Sequence, residues 1–210
     1  MPNIGNRDKY HHGHLKQTMI EKGIEYINQH SVETMSFRKI AAMCNVTHSA
    51  PYKHFKDKED YISQINAYVV DKFIEVLSNI VDEHQDSQEL MIELGVGYVD
   101  FFARNPNYFH IMFQHGNLDY SFLQNDQEQE PGPITPFALY KNAAIRFMKN
   151  ANIPPEQNKD HLIFMWALVQ GIASIFTLKG FEYNDKQKEA VYRMLRIKIC
   201  FYGKDNIIIN

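Results

Sequence analysis

The segment from Ser36 to Lys58, SFRKIAAMCNVTHSAPYKHFKDK, constrains the fold more than any other part of this 210-residue chain. The hydroxyl of Ser36 can cap a helix, and apolar residues then recur at helical spacing as far as Cys44. Asn-Val-Thr at residues 45–47 breaks this pattern, because Asn accepts the left-handed backbone of a turn and Thr can cap a following helix. Two short helices joined by a tight turn are therefore predicted.

The second of these predicted helices, from His48 to Phe55, is unusually polar. Beyond Ala50 and Phe55 it has little to bury, and its other side chains offer hydroxyl, phenol, imidazole and amine groups. Pro51 is compatible with a helix that begins near residues 47–49, because proline is tolerated in a first turn. Such a helix stabilises a core poorly, but it is suited to lie in a groove and donate hydrogen bonds.

Charge is divided unevenly along the chain. Residues 1–58 carry nine Lys and Arg against five Asp and Glu, a net charge of +4, whereas residues 59–210 carry thirteen against twenty, a net charge of −7. This distribution suggests that only the front of the chain meets a polyanion. Uneven surface charge without function is the alternative. Residues 1–11 read as a flexible arm that either tracks phosphates or is simply solvated.

Helical periodicity dominates the sequence, and Gly and Pro are sparse. Start signals support several of the helices: Asp57 precedes a long one, Thr135 precedes Pro136, and Asn184 has Gln187 three residues later. Residues 117–135 are predicted to form a loop. We expect an all-α chain of about nine helices in the segments 12–30, 36–44, 48–55, 58–83, 86–105, 108–115, 135–150, 156–179 and 184–202.

The run from Leu162 to Leu178 is apolar almost all round. It is slightly short for a membrane span, contains Gln170, Gly171 and Ser174, and lacks basic flanks, so we expect no membrane insertion. A helix that is apolar on every side is buried on every side. We therefore expect one face to meet its own core and the other to meet a second subunit.

Other chemistry is weakly indicated. Cys44 and Cys200 lie far apart in apolar helical patterns and are interpreted as reduced core thiols. The polar amino terminus has no apolar signal segment, so a cytoplasmic location is expected. His11, His12 and His14 lack metal-ligand spacing, and no metal or cofactor is expected.

The front of the chain resembles the TetR family of transcriptional regulators over roughly residues 12–68. The resemblance depends on residues of the predicted helix-turn-helix and of the helix after it, which are Ile40, Ala41, Val46, Tyr52, His54, Phe55, Lys58 and Glu59. In the rear of the chain, Trp166 followed by Gln170-Gly171 resembles the Trp…His-Gly signature of one TetR subgroup, with Gln170 where that signature has His.

This resemblance implies a DNA-binding domain at residues 1–57, and a ligand-binding and dimerisation domain at residues 58–210. It implies a homodimer in which the last two helices of each subunit form a four-helix bundle. A small-molecule effector in the rear domain would move the two DNA-binding heads apart through the fourth helix. The expected protein is a bacterial cytoplasmic repressor, associated with the nucleoid when bound to a pseudo-palindromic operator.

Residues that would face double-stranded DNA follow from the same resemblance and agree with side-chain chemistry. Lysine can donate to guanine, hydroxyls can use either kind of base edge, and a helix amino terminus attracts phosphate. The alternatives are that Tyr52 packs on the core and that Lys53 is simply solvated. The candidate DNA-binding residues are Ser36, Arg38, Thr47, His48, Ser49, Tyr52, Lys53, His54 and Lys58.

Aromatic and polar residues of the rear domain are candidates for binding an apolar or aromatic effector. These candidates are Tyr98, Phe102, Phe109, His110, Phe113, Trp166 and Gln170, with His115 as a further polar group. Plain core packing is the competing interpretation for each of them. An enzyme is not expected, because no nucleophile elbow or phosphate-binding glycine loop is present. A helical module that binds protein instead of DNA is a further alternative.

Overall fold

The computed structural model describes residues 14–85, 89–114 and 134–204, without the side chains of residue 114 and residues 198–204. In these ranges the chain forms eight α-helices and no strand, which confirms the all-helical prediction. The predicted arm and most of the loop 117–135 lie outside the described residues. The helices are α1 (Leu15–Gln29), α2 (Phe37–Met43), α3 (Lys58–His84), α4 (Leu90–Arg104), α5 (Pro106–Gln114), α6 (Pro136–Asn150), α7 (Asn158–Phe176) and α8 (Asp185–Lys204).

Capping side chains begin four of these helices where the sequence predicts. Ser36, Asp57 and Thr135 each accept a hydrogen bond from the backbone N–H three residues later, at 3.4, 2.8 and 3.0 Å. At the start of α8, Gln187 Oε1 accepts from the backbone N–H of Asn184 at 3.3 Å. Each cap satisfies a donor that the first turn of a helix would otherwise leave unpaired.

The turn after α2 also has its predicted geometry. Asn45 has a φ of 54°, in the left-handed region. The N–H of Asn45 bonds to the carbonyl of Ala42, and the N–H of Val46 bonds to that of Ala41. This pair of bonds is a Schellman motif, in which asparagine takes the place that glycine usually holds.

The second predicted short helix is wrong in detail. Residues 47–50 form a turn, and only Pro51–Lys53 is helical, as a single 3₁₀ turn. Pro51 has no N–H to bond to the carbonyl of Thr47, and the N–H groups of Lys53 and His54 bond three residues back, to Ala50 and Pro51, which is the 3₁₀ pattern. Thr47 caps nothing here; its hydroxyl lies 3.2 Å from that of Ser49.

Contacts divide the chain into two units, residues 1–65 and 66–210, so that α3 begins in the first and ends in the second. In the first unit α1 packs on α2, and the start of α3 closes the core. The Tyr61 hydroxyl donates to the carbonyl of Met19, and Gly23 leaves room for that ring. A Cβ at Gly23 would collide with both Tyr61 and Ile65.

Helix α4 lies at the centre of the second unit. It packs against α7 and α8, and also against α5 and α6. Eleven of its fifteen residues are buried, Gly95 among them. A Cβ at Gly95 would lie 2.7 Å from Leu195 and 3.3 Å from Val169, so α7 and α8 both approach α4 closely at this glycine.

Helix α7 is buried on one side only. Leu162, Met165, Val169 and Ala173 face the core, whereas the opposite side of this apolar helix is exposed. We expected both faces of α7 to be buried, and in the single chain only one face is. Burial of the other face by a second subunit stays a prediction. None of the described helices is both long and apolar enough to span a membrane.

Candidate nucleic-acid interface and apolar cavity

A run of exposed polar residues follows α2 in the first unit. Three buried residues, Ala50, Pro51 and Phe55, hold this run against the core. Pro51 and Ala50 each accept a backbone hydrogen bond from the residues that follow. The exposed residues, which we call the polar face, are Thr47, His48, Ser49, Tyr52 and Lys53.

Tyr52 stands on an aromatic support. Its ring meets the ring of Phe37 edge to face at a centroid distance of 5.0 Å, yet 65% of the residue is exposed. Phe37 in turn contacts the rings of Phe55 and Tyr61. One edge of the Tyr52 ring therefore packs on the core, and most of its surface stays open to solvent. The sequence left core packing and DNA contact as alternatives for Tyr52, and this position is compatible with both. Helical spacing places Phe37 on the apolar face of α2, but its contact with Tyr52 is visible only in the structure.

The start of α2 adds to this surface. Ser36 and Arg38 are both exposed there, and Ser36 is also the cap. Residues 34–56 contain Arg38, Lys39, Lys53 and Lys56 but no Asp or Glu, a local charge of +4. Such a run of positive residues, bordered by Glu33 and Asp57, favours an anionic partner over a neutral one.

Two of the candidate residues are less available. Lys58 is half-buried, and its Nζ donates to the carbonyl of Glu33 at 3.0 Å, so it ties down the turn before α2. His54 is half-buried beside Phe55. Both residues border the polar face rather than forming its centre.

Lys39 plays a structural part that the sequence did not reveal. Its Nζ donates to the Tyr26 hydroxyl and to the carbonyl of Thr34, both at 2.8 Å. The bond from Lys39, followed by the bond between the hydroxyls of Tyr26 and Thr34, lowers the pKa of Tyr26. Lys39 thus holds α1 and α2 around the 3₁₀ turn Val32–Thr34 that leads to the Ser36 cap.

The second unit contains an apolar cavity of about 30 Å³, measured as the space open to the centre of a water-sized probe. That space exceeds what one water needs but holds only a few non-hydrogen atoms. A larger molecule must displace some of the wall. The lining residues are Phe73, Leu77, Met91, Leu94, Gly95, Tyr98, Pro136, Tyr140, Phe164, Met165, Trp166, Leu168, Val169 and Leu195.

Two of the candidate ligand-binding residues, Tyr98 and Trp166, lie in this wall with their rings 5.5 Å apart. Gln170 lies outside the wall but accepts a hydrogen bond from the Tyr98 hydroxyl. The ring of Phe102 packs against Tyr98 at 5.0 Å, one layer behind the wall.

The remaining candidates lie farther from the cavity wall. Phe109 and Phe113 each contact the ring of Phe102 at 5.5 Å, while His110 is exposed. His115 is outside the described residues. The sequence therefore indicates the aromatic cluster but not which of its members face empty space, because a residue's type does not reveal how closely its neighbours pack.

Polar chemistry at the cavity is limited. The Tyr140 hydroxyl donates to the carbonyl of Leu162 at 2.7 Å, and burial raises its pKa well above the usual value. Tyr140 therefore remains a protonated donor at neutral pH. Within residues 14–85, 89–114 and 134–204, no three His, Cys, Asp or Glu side chains lie close enough together to hold a metal ion. The cavity can accept an apolar group, and the hydrogen-bonded Tyr98–Gln170 pair places polar atoms beside it.

Comparisons with known proteins establish the fold alone. No model of a known protein family matches the chain, and no curated protein matches it. A solved structure of a protein with unknown function from Rhodococcus sp. RHA1 is similar, with a TM-score of 0.64 and 18% sequence identity. The similarity covers 94% of this chain and 100% of that one. At this identity the two chains share an architecture, and no activity follows from it.

Proposed function

We propose that the protein is a DNA-binding transcriptional regulator that recognises its operator through the polar face and the start of α2. The observation that carries this proposal is the exposure of Thr47, His48, Ser49, Tyr52 and Lys53 on a rigid support. Hydroxyl, imidazole and amine groups suit the hydrogen-bonding edges of bases in a major groove.

Phosphate contacts would come from the residues around the polar face. Arg38 and the amino terminus of α2 offer charge and backbone donors, and no carboxylate of residues 34–56 opposes them. Such contacts position a protein on the duplex but carry no sequence information. Sequence preference is therefore assigned to Lys53 and its polar neighbours, and affinity to the surrounding charge.

A homodimer is the proposed binding form. Seven large apolar side chains of α7, α8 and the segment between them are exposed, and such a concentration marks an interaction surface. A twofold dimer presents two copies of the polar face, so the proposed operator is pseudo-palindromic. The exposed residues are Ile163, Phe164, Ile175, Leu178, Phe181, Met194 and Ile197.

The cavity of the second unit is proposed as the effector site, and repression relieved by the effector as the mode of regulation. Its wall is almost wholly apolar, so the effector class is a small apolar or aromatic molecule. Because the cavity is small, binding must push the wall outward. That movement is the proposed cause of operator release.

Salt-dependent binding to duplex DNA tests the proposal. Fluorescence anisotropy with random duplex should show affinity falling steeply with salt, since each phosphate contact releases counterions. Selection of bound genomic fragments, followed by footprinting, should then recover two related half-sites. Binding absent at low salt would contradict DNA recognition and favour a protein-binding module, and a single asymmetric half-site would contradict the dimeric mode.

A further inference from the structure

We propose that a second copy of the chain completes the cavity, by covering its mouth at Phe164 and Leu168 with its own α7. This inference rests on the proposed homodimer and goes beyond it. A dimer could form without touching the cavity. In this proposal, by contrast, the cavity stays open to solvent until α7 of the second copy covers its mouth.

Two residues of the cavity wall belong also to the surface. Phe164 and Leu168 line the cavity, yet 44% of Phe164 is exposed and Leu168 is only partly buried. By contrast, wall residues from α3 and α4 are deeply buried, as Phe73 and Leu94 show. The cavity therefore lies directly beneath the exposed side of α7, where solvent or a partner forms its outer boundary.

The spacing on α7 points to a second copy as that partner. Phe164, Leu168, Gly171 and Ile175 follow one another at intervals of four, three and four residues, the repeat of helices that pack in pairs. Large residues flank Gly171 on both sides, and Leu178 lies just past the end of the helix. A twofold axis beside Gly171 would thus set the Phe164 end of one helix against the Ile175 end of the other.

Space and charge support the same occupant. No atom lies within 4 Å of a Cβ built at Gly171, so another helix can approach closely there. Residues 161–178 contain no Asp, Glu, Lys or Arg, which disfavours a charged partner or an anionic lipid surface. The seven exposed apolar side chains offer on the order of 700 Å² per copy, close to the roughly 800 Å² that each partner buries in a stable interface.

Trp166 makes this arrangement measurable, because it lines the cavity and is the sole tryptophan of the chain. Its fluorescence quenching by acrylamide is compared between the wild-type dimer and Ile175→Asp, which places a carboxylate in the contact without altering the cavity wall. Asn79→Asp, an exposed position on α3, is the matched control. Sedimentation gives the mass of each variant, and circular dichroism its helix content.

We expect the quenching constant of the Ile175→Asp monomer to be at least about twofold that of the wild type, with Asn79→Asp unchanged, because a covered cavity slows the approach of a quencher. Equal quenching in a proven dimer and a proven monomer would overturn the covering but leave the dimer intact. A wild type that sediments as a monomer would instead contradict the dimer itself. If Ile175→Asp loses helix content, dilution of the wild type through its own dissociation range gives the same comparison.

Discussion

The two units expose opposite chemistries. The first holds Phe55 and Tyr61 beneath a surface of hydroxyl, imidazole and amine groups, whereas the second leaves a charge-free apolar side of α7 open. A polar surface over a firm core suits a hydrated, charged partner, and an apolar surface suits a protein partner. The contrast teaches that what each unit leaves exposed is more informative about its role than what it buries.

The largest expected effect tests the polar face. Tyr52→Ala combined with Lys53→Ala should abolish operator binding in a gel-shift assay while dimer mass and helicity stay unchanged. At about 1 kcal/mol for each of four contacts in a dimer, the loss is about a thousandfold. Lys72→Ala, which removes an exposed lysine of α3 in the second unit, is the control. Full operator affinity in the double variant would contradict the assignment of DNA binding to the polar face of the first unit.

The apolar side of α7 should respond in the opposite way. Ile175→Asp is expected to weaken the dimer by about 3 kcal/mol, roughly a hundredfold, because two carboxylates would be buried without partners. Sedimentation equilibrium measures the dissociation constant, and circular dichroism should show unchanged helix content. A variant that dimerises like the wild type would mean that the exposed apolar side of α7 serves another purpose.

Alanine substitutions at Gly23 and Gly171 compare a closely packed helix position with an open one. Gly23→Ala should destabilise the first unit by about 2 kcal/mol, since its Cβ collides with Tyr61 and Ile65. Gly171→Ala, made in the Ile175→Asp background, should instead gain up to about 1 kcal/mol from helix propensity. Urea unfolding of both variants measures the difference. Equal effects would show that α7 is not open at Gly171 in the single chain.

The smallest expected effect concerns the start of α3. Hydrogen bonds from Gln64 and from the backbone of Lys56 lower the pKa of Asp60. The stability that the Asp60 carboxylate provides is therefore present above its unfolded-state pKa of about 3.9. That stability is lost as the pH falls through its lower folded-state pKa. Asp60→Asn should lower Tm slightly at pH 7, and the difference from wild type should vanish in acid.

Local signals in the sequence predicted local structure well. The caps at Ser36, Asp57 and Thr135 and the left-handed turn at Asn45 are all present. Each depends on a side chain and backbone within a few residues, so sequence spacing contains the information. The same local signals overextended the helix after Thr47, where only Pro51–Lys53 forms a 3₁₀ turn and Pro51 lacks the N–H for an α-helical bond to Thr47.

Through periodicity and capping, the sequence by itself determined the all-helical class, most helix ends and a polar stretch near Lys53. Only the tertiary structure decided which aromatic residues border empty space, since a cavity is what packing between α3, α4, α6, α7 and α8 fails to fill. It also decided which side of α7 stays open. The run from Leu162 to Leu178 is apolar almost all round, and the contacts of α7 with α4 and α6 separate its buried side from its exposed one.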